Sequence, residues 1–485
     1  MSAATTQAPQ AAPAGGMRRI PLTLESYQHP SVQLSSKLLL NMFGEPEPSD
    51  ARSLAALIPM PGIDNFLSVG TGPIHAINDD QPGTTYVVSG THFFLLTPNT
   101  DGSWSAADLG DIGTPSGGVD PAQQLFYSIA VGPTAAVVCC PPNAFVSSGG
   151  SPVALVTTTW PDYGASSVTY LDGYYVFTGL LNSQFFFITT LGDPTAVDAL
   201  DFAALDAFPN AMEKVLTLGT DLWFGGATGW EIWYDAGAAD FPFRRRPNGI
   251  IQRSVISPMT IAKGDESIWW WSANGSIYRT VGYHEKKIST YGIESLLTDP
   301  AVSSFVYSIF GHVFYVLNFS DKTLIYDGST DTWHNASSSA DGNGPWRANC
   351  ATANQGTPFL GDSTAGRILV PVIGLSTDMG VAVRRQIVLP PLYPSTNRGF
   401  CARLEIEMEV GGDNTPGDIT LDWSDDGGIT FTGGPRTLNV GASTEFRKRV
   451  YTTRLGSFRN RVFRITSQHF MTIYAVSADI TMGAS

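Results

Sequence analysis

The chain of 485 residues carries 43 Asp and Glu against 28 Lys and Arg, a net charge of −15, and includes 50 glycines and 32 prolines. Only 15% of its residues are charged, too few for the polar faces of many amphipathic helices, while 43% apolar and 11% aromatic residues supply a large core. This composition excludes a mostly disordered chain, argues against a helical bundle, and excludes a groove-reading DNA binder, which needs a basic face for phosphates. An acidic wall around DNA stays open, because like charge keeps a passing polyanion mobile.

Residues 1–19 open with an Ala/Pro/Gln/Thr-rich stretch lacking a basic region and an apolar stretch, and read as a disordered tail, with Met17 an alternative start. No run of 18 apolar residues occurs, so no helical membrane insertion by this chain is expected. Residues 20–64 carry three separated apolar segments and the turn Pro61-Gly62, and read as an extended arm too sparse in core residues to be a domain.

From residue 65 to about 375 the chain becomes a series of short aromatic and β-branched runs separated by Gly, Asp, Ser and Asn. Tyr86–Ser89 with His92–Leu96, Leu222–Phe224 with Glu231–Tyr234, and Val313–Asn318 with Thr323–Tyr326 are pairs of hairpin type. A turn glycine recurs at Gly90, Gly132, Gly173, Gly219, Gly264, Gly311 and Gly356, at intervals of 41 to 47 residues. That period, with about four strands per unit, is the pattern of β-propeller blades. Seven blades are expected, six or eight remain open, and a row of separate β-sandwiches is the rival. The stretch Asp198 to Thr217 reads as a short helix or irregular loop between two blades. Beyond residue 375 the period stops. Runs such as Arg384–Leu389, Arg403–Val410, Ile419–Trp423, Lys448–Thr453, Arg461–Thr466 and Thr472–Ile480, with Gly411-Gly412 and Gly427-Gly428 turns, read as a C-terminal antiparallel β-sandwich over residues 376–485. The fold class is therefore all-β.

Ser424-Asp425-Asp426-Gly427-Gly428-Ile429-Thr430-Phe431 fits the Asp-box pattern of sialidase-like hairpins, in which the aspartate caps backbone N–H groups. The box is structural even there, and a sialidase would also need dispersed arginines and a Tyr/Glu pair. Trp269-Trp270-Trp271 would face both sides of one strand, which favours core packing over a sugar platform. Arg244, Arg245 and Arg246 form the one dense basic cluster of the propeller; a subunit or partner contact is favoured over phosphate binding. A second basic group, Arg447, Lys448, Arg449, Arg454, Arg459 and Arg461, is either a solvated face or a docking surface for an acidic partner.

The cysteines, Cys139, Cys140, Cys350 and Cys401, lack zinc-ligand spacing and read as buried free thiols. The seven histidines match no metal motif, and no nucleophile elbow, phosphate loop or dinucleotide fingerprint occurs. The N-x-S/T sites at Asn274, Asn318 and Asn335 read as turn residues. No catalytic, metal or cofactor residues are assigned, and an enzyme is not expected.

Several stretches together resemble the packaged-DNA stabilisation, or tail hub, proteins of P22-type short-tailed phages. They are Leu40-Asn41-Met42-Phe43-Gly44-Glu45 with Ile58-Pro59-Met60-Pro61-Gly62-Ile63, and Leu200-Asp201-Phe202-Ala203 through Leu222-Trp223-Phe224-Gly225 and Glu231-Ile232-Trp233-Tyr234 to Phe241-Pro242-Phe243. Leu455-Gly456-Ser457-Phe458-Arg459, followed by an R-x-F-R-I strand, resembles the closing segment. The resemblance implies a structural protein of the virion tail, assembled in the host cytoplasm. It implies a homo-oligomeric ring of six below the portal and adaptor, which plugs and stabilises packaged DNA, continues its channel during ejection through non-specific DNA contact, and holds tail fibres or spikes. A carbohydrate-binding or glycan-hydrolysing propeller is the alternative, and a propeller scaffold for other protein partners a third.

Overall fold

The computed structural model describes residues 16–31, 34–46, 55–118, 124–148, 153–154, 160–181, 184–207, 212–297, 300–354, 356–394, 397–410, 417–440 and 447–483. The tail expected over 1–19 falls mostly outside these residues, as does the Gly411-Gly412 turn. The contacts divide the chain into two units, residues 61–383 and residues 1–60 with 384–485.

The 61–383 unit is a ring of four-stranded antiparallel blades. Blade 1 is Ile74–Asn78, Thr85–Ser89, His92–Pro98 and Trp104–Asp111, and blade 2 is Ser128–Val131, Ala136–Cys140, Asn143–Ser147 and Val153–Ala154. Blade 3 is Ala165–Leu171, Tyr174–Gly179, Phe185–Thr190 and Asp193–Ala204; blade 4 is Met212–Leu218, Asp221–Gly226, Trp230–Asp235 and Phe243–Ile251. Blade 5 is Ala262–Gly264, Ser267–Trp271, Ile277–Val281 and His284–Lys287. Ser303–Ile309, His312–Asn318, Thr323–Asp327 and Thr332–Ala336 pair in the same order as blade 6. The last blade combines Ala348–Asn354, Thr357–Asp362 and Arg367–Val372 with Gly62–Ser68, which returns from the start of the unit as its outermost strand. Strand pairing thus gives seven sets of four, and the first and last segments close the ring.

Five of the seven periodic glycines lie in the turn from the innermost strand to the second, and Gly264 ends the innermost strand just before that turn. Gly90 lies one hairpin later, between the second and third strands of blade 1, where Gly83 occupies the equivalent turn. The stretch Asp198–Thr217 differs from expectation: its described residues, apart from 205–207, belong to the outer strand of blade 3 and the inner strand of blade 4. Its alanines and leucines suit a helix locally, but Phe185↔Ala204 and Phe187↔Phe202 ladder pairing overrides that preference.

Blades are held by sandwiched apolar side chains. Trp223, Trp230 and Ile232 of blade 4 meet Ile268, Trp270 and Tyr278 of blade 5, while Trp269 and Trp271 point the other way, against Tyr315, Leu317 and Trp333 of blade 6. Strand alternation therefore sends the three consecutive tryptophans into two separate interfaces. Each fully buried aromatic contributes roughly 3 kcal/mol. Asn274 lies in a turn as expected, whereas Asn318 and Asn335 lie in strands. Cys139, Cys140 and Cys401 are buried and Cys350 half-buried, all as free thiols.

The second unit is a pair of sheets. One runs Met42–Pro46, Ala55–Pro59, Met471–Met482, Gly399–Val410, Arg447–Thr453, with Met17–Ile20 on Met471–Met482. In the other, Ser36–Leu40, Arg385–Val388, Val462–Ser467, Asp418–Ser424 and Gly433–Asn439 lie in that order. Between them lie Leu404, Ile406, Phe463, Ile465, Ile473 and Val476, joined by Ile20, Leu39, Met42 and Leu57 from the front of the chain. The segment expected as an extended arm thus contributes strands and core to the sandwich. Its few apolar residues suffice because they complete a core supplied mainly by residues beyond 384.

Candidate functional site

Arg244, Arg245 and Arg246 lie on Phe243–Ile251, the outermost strand of blade 4. An outer strand exposes unpaired N–H and C=O groups, and arginines with Pro247 on it oppose unwanted edge-to-edge pairing. The three do not act alike. Arg246 is turned into the ring: its guanidinium donates to Asp221 Oδ1 at 3.2 Å from Nε and 2.5 Å from Nη2, and Asp221 is nearly fully buried. Tyr283 of the adjoining hairpin of blade 5 donates to the other Asp221 oxygen at 2.7 Å, and the guanidinium lies 5.3 Å from the Tyr234 ring and 5.2 Å from the Tyr283 ring. The hydrogen bond to Asp221 raises the Arg246 pKa further, and the same aspartate raises that of Tyr283. Arg246 is therefore a brace between blades 4 and 5. Arg244 and Arg245 remain exposed, with Arg244 4.0 Å from Asp240.

The Asp box forms a closed turn at the end of Asp418–Ser424. Asp426 accepts the N–H groups of Ile429 at 2.9 Å and Thr430 at 3.0 Å, and Gly428 N–H donates to Ser424 Oγ at 2.8 Å. Hydrogen bonds from Ser424 and Thr430 hold the Asp426 carboxyl below the usual range. Phe431 lies 3.9 Å beneath the Arg464 guanidinium, which is itself paired with Asp422. Ser424, Asp426 and Thr430 are engaged in the turn, while Asp425 pairs with Arg461 and Phe431 packs on Arg464, so the motif's carboxylates are both engaged structurally.

The second basic group separates into different roles. On Arg447–Thr453, Arg447 and Arg449 are exposed, and Arg449 binds Glu405 at 3.0 Å and Glu407 at 2.7 Å. Arg459 is exposed, but Arg461 is buried and binds Asp425 with both Nε and Nη2, at 2.6 and 2.7 Å. Alternation alone would have put Arg461 on the basic face; three surrounding aromatic rings draw it inward instead. Among the described residues no three His, Cys, Asp or Glu side chains cluster as a metal site would require.

Residues 18–370 match the family described as the bacteriophage P22 Gp10 β-propeller, and residues 384–481 match the bacteriophage P22 Gp10 β-sandwich. The chain belongs to the P22 Gp10 family. It is a phage structural protein of the virion tail and not an enzyme. No curated protein matches. Among solved structures, the computationally designed Ika8 protein is similar over 64% of this chain and 100% of that one, at 10% identity and a TM-score of 0.38, too slight a likeness to bear on function.

For this Gp10-family chain, charge is unevenly shared. The sandwich unit holds slightly more Lys and Arg than Asp and Glu, so the propeller carries all of the net negative charge. No helix among the described residues is long and apolar enough to cross a membrane. The paired roles of Arg246 and Arg461 are not legible in the sequence, because their aspartates lie 25 and 36 residues away along the chain. A lone arginine beside aromatic strand residues, as in Arg461-Val462-Phe463, is the one available signal.

Proposed function

We propose that the chain is a subunit of a tail hub ring that retains packaged DNA, continues the channel below the connector and offers attachment to fibres or spikes. The observation that carries this reading is the coincidence of the family match over both units with a strongly acidic, rigidly packed propeller. Such a surface supports retention and passage of DNA by exclusion rather than by grip, since like charge forbids phosphate neutralisation.

Within that role Arg244 and Arg245 are contact residues for a neighbouring subunit or tail protein. Their exposure on a protected edge, in a propeller otherwise short of cations, supports this. Arg246 is left out, because its charge is already engaged by Asp221. The experiment is the mass of the purified chain alone and with the connector proteins of its phage. Ring formation on the connector is expected, and replacing Arg244 and Arg245 together by glutamate should weaken it at least tenfold without unfolding the chain. A chain that stays monomeric with the connector overturns the hub; rings unaffected by the double reversal overturn only the assignment of these arginines.

A further inference from the structure

The innermost strands of the blades surround an axial cavity of about 440 Å³, within the roughly 300–1,000 Å³ usual for small-ligand sites. Because every blade begins with its innermost strand, these strands enter the cavity from the same end. That end is spanned by Gln124, which precedes the inner strand of blade 2. Its amide donates to Ala301 O before blade 6 at 3.1 Å and accepts from Ser257 before blade 5.

Two of the propeller's few cations, Lys214 and Lys263, line this cavity. Lys214 lies on the inner strand of blade 4, half-buried; its ammonium donates to Ile261 O at 3.1 Å and sits 5.1 Å from the Phe126 ring. No carboxylate among the described residues pairs with it. An ammonium has three donors, so one carbonyl leaves it short of acceptors as well as of countercharge. Lys263 lies on the inner strand of blade 5, in a loose ion pair with Asp80 at 3.8 Å and within electrostatic reach of Asp79. The other Asp80 oxygen, Oδ2, accepts from Asn78 at 2.9 Å. Burial and the neighbouring Lys263 lower the Lys214 pKa to about 8, as expected for an ammonium with no carboxylate of its own beside a second ammonium.

The remaining lining supplies hydrogen-bonding groups, and Asp80 beside Lys263 is a carboxylate that a bound anion would displace or share. Desolvation lowers the His75 pKa, its ring lies 5.3 Å from that of Tyr127, and Thr169 and Thr217 bond each other at 2.8 Å. We propose that the axial cavity is a binding site for a small multivalent oxyanion, a phosphate or a polycarboxylate, held between the Lys214 and Lys263 ammonium groups. With one mouth crossed by Gln124, the cavity takes a small molecule rather than a nucleic acid strand. The proposal is independent of the hub assignment, since it concerns one propeller and no ring.

The test uses the full chain with inorganic phosphate and, separately, citrate, against sodium chloride at matched ionic strength. Titration calorimetry should give one site per chain for at least one of the two, and the identity of the binder separates phosphoryl from carboxylate recognition. Lys214→Met should weaken that binding at least tenfold, and so should Lys263→Met. In the unaltered chain, acetylation of Lys214 by a water-soluble active ester, followed by mass spectrometry, should slow at least fivefold when the anion is present. This measurement needs no variant to fold. Binding of neither anion beyond the chloride control, unchanged Lys214 acetylation, or unchanged affinity in a folded Lys214→Met chain would each overturn the proposal.

Discussion

The Arg461–Asp425 pair offers the sharpest test of how the sandwich is held. Arg461 has 2% of its side chain exposed, Asp425 46%. The guanidinium also donates to Leu455 O at 2.6 Å and lies 4.7, 5.3 and 5.9 Å from the rings of Phe458, Trp423 and Phe463. Removing the aspartate leaves a cation inside the unit with no countercharge; for a fully buried pair that costs about 3–5 kcal/mol, and water beside Asp425 reduces it to about 3 kcal/mol. Removing the arginine is milder. In Arg461→Met an apolar chain of similar length fills the space among the rings and Asp425 is solvated, at about 1–2 kcal/mol with the Leu455 carbonyl left unpaired. Once Arg461 is methionine, Asp425→Ala should be nearly silent, so the double-mutant cycle should return a coupling of about 2–3 kcal/mol. Hydrogen exchange of the Val462–Ser467 strand through a urea series reads this unit selectively. A coupling below about 1 kcal/mol, or an Asp425→Ala variant more stable than Arg461→Met, would refute the reasoning.

Burial raises the Glu213 pKa to about 7, so its carboxyl is protonated in the fold at a pH where the unfolded chain ionises it. The resulting penalty is absent below pH 4.5 and grows until pH passes 7; Glu213→Gln should therefore stabilise the chain by about 2 kcal/mol at pH 8 and by almost nothing at pH 4, as read by thermal melting. The depressed Asp426 carboxyl acts in the opposite sense: its contribution is present above its ordinary value near 3.8 and disappears as pH falls through the lower folded value. Asp426→Asn should flatten the acid limb of the hydrogen-exchange profile of residues 424–431, and an unchanged limb would count against the cap. Trp270→Ala opens a void between blades 4 and 5 against Trp230 and Tyr278 and should cost about 3–5 kcal/mol in urea unfolding. A loss under 1 kcal/mol would mean that the blades do not depend on this contact.

Short-range patterns in the chain determined the elements: apolar runs with turn glycines defined hairpins, and their spacing of 41 to 47 residues defined repeated blades. The orientations of Trp269, Trp270 and Trp271 followed from strand alternation alone, and the backbone caps of the Asp box from its own eight residues. These are local, because a turn or a pleat is set by neighbours in sequence. Other features depended on partners distant along the chain. Gly62–Ser68 closes the blade that ends near residue 372, and Ile20, Leu39, Met42 and Leu57 complete a core made mostly by residues beyond 384. Helix-like composition at Asp198–Ala204 yielded to ladder pairing with Phe185–Thr190. Arginines that read as one basic surface parted company, Arg246 and Arg461 binding aspartates inside the fold while Arg244, Arg245 and Arg447 stayed exposed. The axial cavity, with Lys214 and Lys263 brought from separate blades, exists only once the ring has closed. Sequence spacing carries no information about which strands meet around an axis; that is decided by packing, which lowers free energy only when every blade has a neighbour on both faces.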